Sequence, residues 1–313
     1  MEISITIASS GLPWIRWKQL TAEIEQLGFA GIFRGDHFGG GAGSVDALIS
    51  LAYLAEHSQA IHFGTLVSPV TFRDPVMLAR QAMAIDDLSG GRMVLGLGAG
   101  SAEDEHTMFG YNRGDVNTRM SRLEEGVHVV AQLIRSDAPV TFEGRFFKLH
   151  EARLMPRPQR PTPIMIGGTG PKRTLPLIAK YADIWNCEQA ELAIFKERSA
   201  LLDKLLVSAG RKPSDVKRTA FLPTFCWRDP AEKELVADAL RQGFPFFAEK
   251  SAGEVFEWFA ANMSAITGTV DDVIEQLSAY KTAGCDEAMV WFFPSMSTDI
   301  LKVLSSSVLP HFR

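Results

Sequence analysis

The 313 residues carry a formal net charge of −5, with 46% hydrophobic and 22% charged side chains and no compositional bias. An acidic molecule of pI about 5.8 repels nucleic acid and anionic lipid through its overall field, so neither partner is expected and any anion site must be local. The longest apolar runs fall well short of the roughly 20 residues of a membrane helix, so no membrane association is expected either.

Short β-branched runs alternate with longer helical patterns along the whole chain. Strands are expected at about 2–9, 29–34, 61–67, 92–97, 163–166, 183–187, 217–226 and 286–293. Between them, periodicity near 3.6 predicts helices such as Trp17–Leu27, Pro75–Leu88, Met120–Leu133, Thr174–Tyr181 and Val270–Tyr280. Asp74 is placed to cap the helix that opens at Pro75, and Gly90-Gly91 to close it. Strand and helix repeated eight times imply parallel strands joined by crossovers. The expected fold is α/β, a single (β/α)8 TIM barrel over residues 1–313 with insertions after strands 4 and 7; a doubly wound open sheet is the alternative. The first insertion holds a hairpin, Val140–Leu149, and a proline-rich link. The second, Phe244–Thr267, is crowded with aromatic residues that read either as core or subunit interface, or as a substrate lid.

A chain this long buries a large core without staples. Cys187, Cys226 and Cys285, an odd number at unrelated spacings, argue against a disulfide framework and a zinc site and fit a reducing cytoplasm, so no metal is expected. Met1 leads directly into the alternating Glu2–Ile7 with no basic leader region, and no signal peptide is expected.

Barrel enzymes of this type build their sites at the C-terminal ends of the strands. After strand 2 stand Asp36 and His37, the strongest proton-transfer pair in the sequence, because imidazole titrates near neutrality and a carboxylate can fix its tautomer. Neighbours on a strand point to opposite faces, however, and a strand-end histidine also serves as a hydrogen-bonded structural group. Glu105-His106 reads either as a helix cap or as a solvated helix start. Gly96-x-Gly-x-Gly100 lacks the spacing of a dinucleotide motif, yet suits the close approach of a flat ring or of backbone. After strand 5, Gly167-Gly168-Thr169-Gly170-Pro171-Lys172-Arg173 reads as an anion site at a helix N-terminus, with Pro171 in the first helical turn and two cations adding charge; an ordinary strand-to-helix turn is the bland alternative. No nucleophile elbow, H-E-x-x-H or P-loop is present, which weakens hydrolase and kinase readings.

Several of these stretches belong together: Asp36-His37-Phe38, Phe63–Pro75, Leu88–Gly100, Glu105-His106 with Phe109-Gly110, Arg122–Glu125, and Ile166–Leu175 through Tyr181–Asn186. They resemble the luciferase-like monooxygenase superfamily, in its coenzyme-F420-dependent oxidoreductase branch. The resemblance implies a deazaflavin, or FMN as the alternative, lying across the barrel mouth with its ring near Asp36 and His37. It implies that Leu66, Val67 and Ser68 back the ring, at a bulge where relatives carry a non-prolyl cis peptide. It places Gly98, Ala99, Gly100 and Ser101 along the cofactor, and its phosphate on Gly167, Gly168, Thr169, Gly170 and Lys172. His37 matches a family histidine linked to hydride transfer. Ser101 departs from the pattern, standing where one branch has a catalytic glutamate and many members a tryptophan, and Glu105 is the nearest carboxylate to substitute. Family members pair through helices flanking the early strands, so a homodimer is expected. Three functions follow: hydride transfer between F420 and a small organic substrate, an FMNH2-dependent monooxygenase, or a barrel that binds flavin or deazaflavin without chemistry.

Overall fold

The computed structural model describes all residues except 10, 40–42, 189–190 and 295. In chain order the elements are β1 (Glu2–Ile7), α1 (Trp14–Gln26), β2 (Gly31–Arg34), α2 (Ala47–His57), β3 (His62–Thr65), β4 (Ser68–Pro69), α3 (Pro75–Leu88) and β5 (Met93–Gly98). There follow α4 (Glu103–Phe109), α5 (Val116–Arg135), the β6 (Val140–Glu143) and β7 (Lys148–Ala152) hairpin, β8 (Ile164–Gly167), α6 (Thr174–Tyr181), β9 (Ile184–Glu188) and α7 (Leu192–Ser208). The chain ends with β10 (Lys217–Trp227), α8 (Pro230–Gly243), α9 (Ala252–Met263), β11 (Ile266–Thr269), α10 (Val270–Thr282), β12 (Glu287–Phe292) and α11 (Asp299–Val303).

The strands close on themselves. β1 pairs in parallel with both β2 and β12, and β10 pairs with both β9 and β12, so the ring runs β1-β2-β3-β5-β8-β9-β10-β12 and back. The open-sheet alternative is thereby excluded. Inward-facing Phe33, Val94, Met165, Ile184, Phe221 and Met289 fill the interior, while the outward faces carry the larger core against the helices. Asp74 caps α3 as its sequence suggests, accepting from the backbone N–H of Val76 and Met77. Cys187, Cys226 and Cys285 are separate buried thiols.

Two local readings are corrected, and the open one for the aromatic insertion is decided. The third strand does not run unbroken to residue 67: it stops at Thr65, crosses a cis Leu66–Val67 peptide, and resumes as β4 beside β5. Pro171 is not in the first turn of α6, because residues 171–173 form a separate turn and the helix opens at Thr174. The aromatic insertion is mostly core. Phe247, Phe256 and Phe259 are buried, Phe246 is 56% exposed, and β11 adds a parallel strand beside the end of β10.

At the N-terminal end of the barrel, Glu287 is fully buried and accepts from His62 Nε2 (2.8 Å), Lys217 Nζ (2.9 Å) and Ser4 Oγ. Burial alone pushes its carboxyl up, but these partners hold it down at about 2. Lys217 also pairs with Glu2 at 2.5 Å, so an ammonium already supplies the positive charge among Glu2, His62 and Glu287. This end of the barrel serves stability. Among the described residues no helix is long and apolar enough to cross a membrane.

Candidate active site

The C-terminal mouth opens into a cavity of about 1080 Å³. One arc of its wall comes from β3, β5 and β8, where Leu66 and Val67 lie on the surface facing glycines. A Cβ on Gly96 would stand 2.0 Å from the Thr65 carbonyl oxygen, one on Gly98 2.5 Å from Val67 Cγ2, and one on Gly100 2.2 Å from Thr71 Oγ1. The Gly-x-Gly-x-Gly run thus serves the neighbouring bulge, letting Val67 settle between strands as a flat apolar shelf. Gly98, Ala99, Gly100 and Ser101 all line the cavity, as does Gly167.

Gly168 sits at φ +123°, a conformation essentially reserved for glycine. Its N–H donates to Asn186 O (3.0 Å) and its carbonyl accepts from Trp185 Nε1 (2.8 Å), so its own N–H is not free for an anion. The N–H groups of Thr169, Gly170, Lys172, Arg173 and Thr174 find no acceptor among the described residues and form the anion-ready end of α6. Thr169, Gly170 and Lys172 lie outside the cavity lining, with Lys172 exposed. Arg173 contributes no free charge: it makes a two-pronged pair with Glu124 (2.7 and 2.6 Å) from α5. The cation that does line the cavity here is Arg119, nine-tenths buried and also from α5.

His37 lines the cavity and donates through Nδ1 to Glu105 Oε2 (2.9 Å), while the other Glu105 oxygen accepts from Gly39 N–H (3.0 Å). A carboxylate acceptor at Nδ1 fixes the tautomer, and Nε2 has no hydrogen-bond partner among the described residues. Glu105, buried at the start of α4 with both oxygens engaged, orients the His37 ring. Asp36, expected to share this duty, faces the other way. It is 5% exposed and is gripped by Arg73 (2.5 and 2.7 Å) and by Ser68 Oγ (2.7 Å). Consecutive residues diverge at the strand end, so Asp36 pairs with Arg73 and Ser68 rather than with His37, and both Asp36 and Ser68 lie outside the cavity lining.

An aromatic clasp holds the imidazole and its partner together. Phe38 stacks on Phe109 of α4 (centroids 4.2 Å) and meets Phe72 (5.1 Å), which covers His106 (4.3 Å). His106 is buried, donating through Nδ1 to Ala102 O and accepting through Nε2 from the Thr71 hydroxyl (2.8 Å). It is a structural group, not a solvated helix start.

The opposite arc, from β10, β12 and β1, is apolar. Phe221 meets Trp291 (5.7 Å), Trp291 meets Phe293 (4.1 Å), and Phe293 meets Phe244 (5.1 Å), the insertion's contribution to the cavity. At the end of β9, Glu188 opens into the cavity with no hydrogen-bond partner among the described residues. Its side chain is exposed; desolvation at the cavity wall raises its pKa, and the His37 charge opposes that rise. The adjacent Cys187 thiol is pushed up to about 12 by burial and stays protonated.

The family model described as luciferase-like monooxygenase matches residues 3–287. The chain belongs to the luciferase-like monooxygenase family. Among its relatives, a protein from Intrasporangium calvum named F420-dependent glucose-6-phosphate dehydrogenase is 28% identical over 94% of this chain and 93% of its own. Among solved structures, an F420-dependent secondary alcohol dehydrogenase in complex with an F420-acetone adduct superimposes with TM-score 0.82 at 20% identity, over 100% and 99% of the two chains. The monooxygenase RslO1 from Streptomyces bottropensis also gives TM-score 0.82 at 20% identity over both full lengths. At that identity these structures show the shared (β/α)8-barrel fold. Sequence reasoning missed Arg119, Glu188 and the aromatic arc. The only local signal for Glu188 was a carboxyl at the end of a barrel strand.

Proposed function

We propose that this chain is an oxidoreductase transferring a hydride between coenzyme F420 and a small organic substrate. The observation that carries the reading is His37, tethered at Nδ1 by Glu105 and without an Nε2 partner among the described residues, on a cavity that pairs an apolar shelf with an anion-ready helix end. A volume of about 1080 Å³ exceeds a usual single-ligand pocket and suits ring and substrate together. The residues present fit the cofactor: Leu66 and Val67 would back its ring, and the α6 turn with Arg119 would hold its phosphate. When bound, F420 supplies a two-electron hydride acceptor or donor. His37 Nε2 exchanges a proton with the substrate, Glu105 fixes its orientation, and the aromatic arc excludes water. The naming of the Intrasporangium relative for F420 supports that cofactor over FMN. Equilibrium titration of the apoprotein is expected to give an F420 affinity at least roughly tenfold above that for FMN, a difference of about 1.4 kcal/mol. Tighter FMN binding would replace this reading with an FMNH2-dependent monooxygenase.

The reading treats residues 1–313 as a single domain acting in the cytoplasm, in keeping with three unpaired buried thiols. It also includes a homodimer through α1, α2 and α3, whose outer faces expose Trp14, Ile15, Ile49 and Met77. Sedimentation at micromolar concentration is expected to give twice the chain mass, and a monomer would count against it.

A further inference from the structure

His37 stands on the connection that leaves β2 and enters α2, and both legs of that connection are pinned by named contacts. On the outgoing leg, the Gly35 carbonyl accepts from Ser9 Oγ (2.8 Å), Asp36 accepts from Ser68 Oγ and Arg73, and the Gly39 N–H donates to Glu105 Oε1. On the return leg, the Gly43 carbonyl accepts from the Gly11 N–H (3.0 Å), and Ser44 Oγ and the Val45 carbonyl accept from Arg34. Asp46 then caps α2, accepting from the Ile49 N–H (3.0 Å). Arg73 reaches both legs at once. Its Nε and Nη2 grip Asp36 (2.5 and 2.7 Å), and Nη2 also donates to Asp46 Oδ2 (2.7 Å).

Asp36 is 5% exposed, and a carboxylate so deep needs an engaged cation. Burial works against the charge on Arg73, but Asp36 and then Asp46 outweigh it and raise the guanidinium pKa above its ordinary value. A two-pronged pair fixes direction as well as distance, which a point charge does not. The short stretch that carries Arg73 is itself anchored, since the Arg73 N–H donates to the Pro69 carbonyl (3.3 Å) and Asp74 caps α3 next to it. The same stretch presents Thr71 to His106 and Phe72 to Phe38, so clasp and clamp share one piece of backbone. The tolerance at the imidazole is small. Neighbouring Cα atoms lie about 3.8 Å apart, so a shift of Asp36 carries His37 with it. The bond from His37 to Glu105 is 2.9 Å, and such bonds weaken beyond about 3.2 Å.

We propose that Arg73 is a positioning residue for His37, acting through Asp36: it holds the outgoing leg so that the imidazole stays within reach of Glu105. The proposal rests on the reading of His37 as the proton-exchanging group and names what keeps that group in place. Neither Arg73 nor Asp36 lines the cavity, so the effect is on geometry and not on the reacting atoms. Without Arg73, Asp36 keeps one neutral donor among the described residues, Ser68 Oγ. A buried carboxylate left with so little support swings toward water, and the swing takes His37 away from Glu105. Ser9 does not prevent this, because it fixes the carbonyl of Gly35 and leaves the Asp36 side chain unheld.

The test reads the imidazole directly. Nitrogen NMR of cofactor-free protein, at a pH where the ring is neutral, is expected to show the single Nδ1–H tautomer of His37 in wild type. Arg73→Gln should populate the Nε2–H tautomer as well, because the ring is no longer held against Glu105. Arg73→Lys keeps the charge and a single contact to Asp36, so it should restore most of the wild-type signal but not all of it. Gly210→Ala, strained at a remote turn (φ +74°), should lower thermal stability and leave one tautomer, which separates positioning from a general loss of stability. In F420-loaded protein, Arg73→Gln should lower kcat by about ten- to a hundredfold, the cost of roughly an ångström of misplacement, with the F420 dissociation constant unchanged. A single Nδ1–H tautomer in both Arg73 variants, or a mixture in Gly210→Ala, would overturn the proposal. So would an Arg73→Gln enzyme that keeps the wild-type kcat, or one that loses cofactor affinity in proportion to kcat. Should Arg73→Gln fail to fold, Arg73→Lys decides alone: some Nε2–H tautomer supports the assignment and none overturns it. Failure of wild-type protein to bind F420 would instead overturn the functional reading, and the cofactor-free spectra would still decide the role of Arg73.

Discussion

His37→Ala is expected to lower kcat by about 10²–10⁴-fold, the usual worth of one general acid or base, while leaving cofactor affinity largely intact. The expectation follows from the division of labour around the ring. Nδ1 is committed to Glu105, which is itself anchored by Gly39 N–H, so only Nε2 is available to exchange a proton. Removing the imidazole takes away that exchange without disturbing the shelf at Leu66-Val67 or the turn before α6. Glu105→Gln separates positioning from chemistry. Its amide can still accept from Nδ1, but it must then turn its NH2 toward the Gly39 N–H, so kcat should fall less than in His37→Ala. Nitrogen NMR of the imidazole should show mixed tautomers in that variant and one in the wild type. If His37→Ala turns over normally, the histidine is a structural group and the proton leaves by another route.

Gly168→Val should abolish useful cofactor binding, with an affinity loss of at least roughly tenfold to a hundredfold. Two effects act together. At φ +123° a branched side chain is strained by about 1–3 kcal/mol, and its Cβ would lie 3.2 Å from Thr174 Cγ2, where the turn opens onto the cavity. The first effect threatens the fold and the second the site, and Gly210→Ala separates them. Gly210 also has positive φ (+74°), but a Cβ there meets nothing within 4 Å. It should lower thermal stability modestly and leave F420 affinity unchanged. Wild-type affinity in Gly168→Val, measured by cofactor fluorescence, would remove this turn from the binding site.

The scaffold was legible because its signals are local. Alternation over a few residues marks a strand, a Pro–Gly frame marks a helix, and all eight barrel strands lie within the expected stretches or one residue beyond them. The site was less legible because its groups meet across the ring. Between residues 167 and 181 the sequence shows only positive charge, and nothing in it reveals that Glu124, nearly fifty residues earlier, neutralises Arg173. Asp36 beside His37 looks like a pair, whereas Arg73 captures it and Glu105 takes its place. The glycines of β5 read as room for a ligand, while the space they leave is filled by Val67. Glu188 becomes noticeable only once ring closure sets β9 opposite β2.

The two arcs of the mouth have a bearing on how such a protein changes over generations. Under the proposed function, substitutions in β10, β12 and β1 would alter what is recognised and those in β3, β5 and β8 what holds the cofactor; the two sets share no strand. One arc could then drift toward new substrates while the other stays fitted to the cofactor, with β2 and β9 as the seams between them. A lineage built this way diversifies by repainting half a ring.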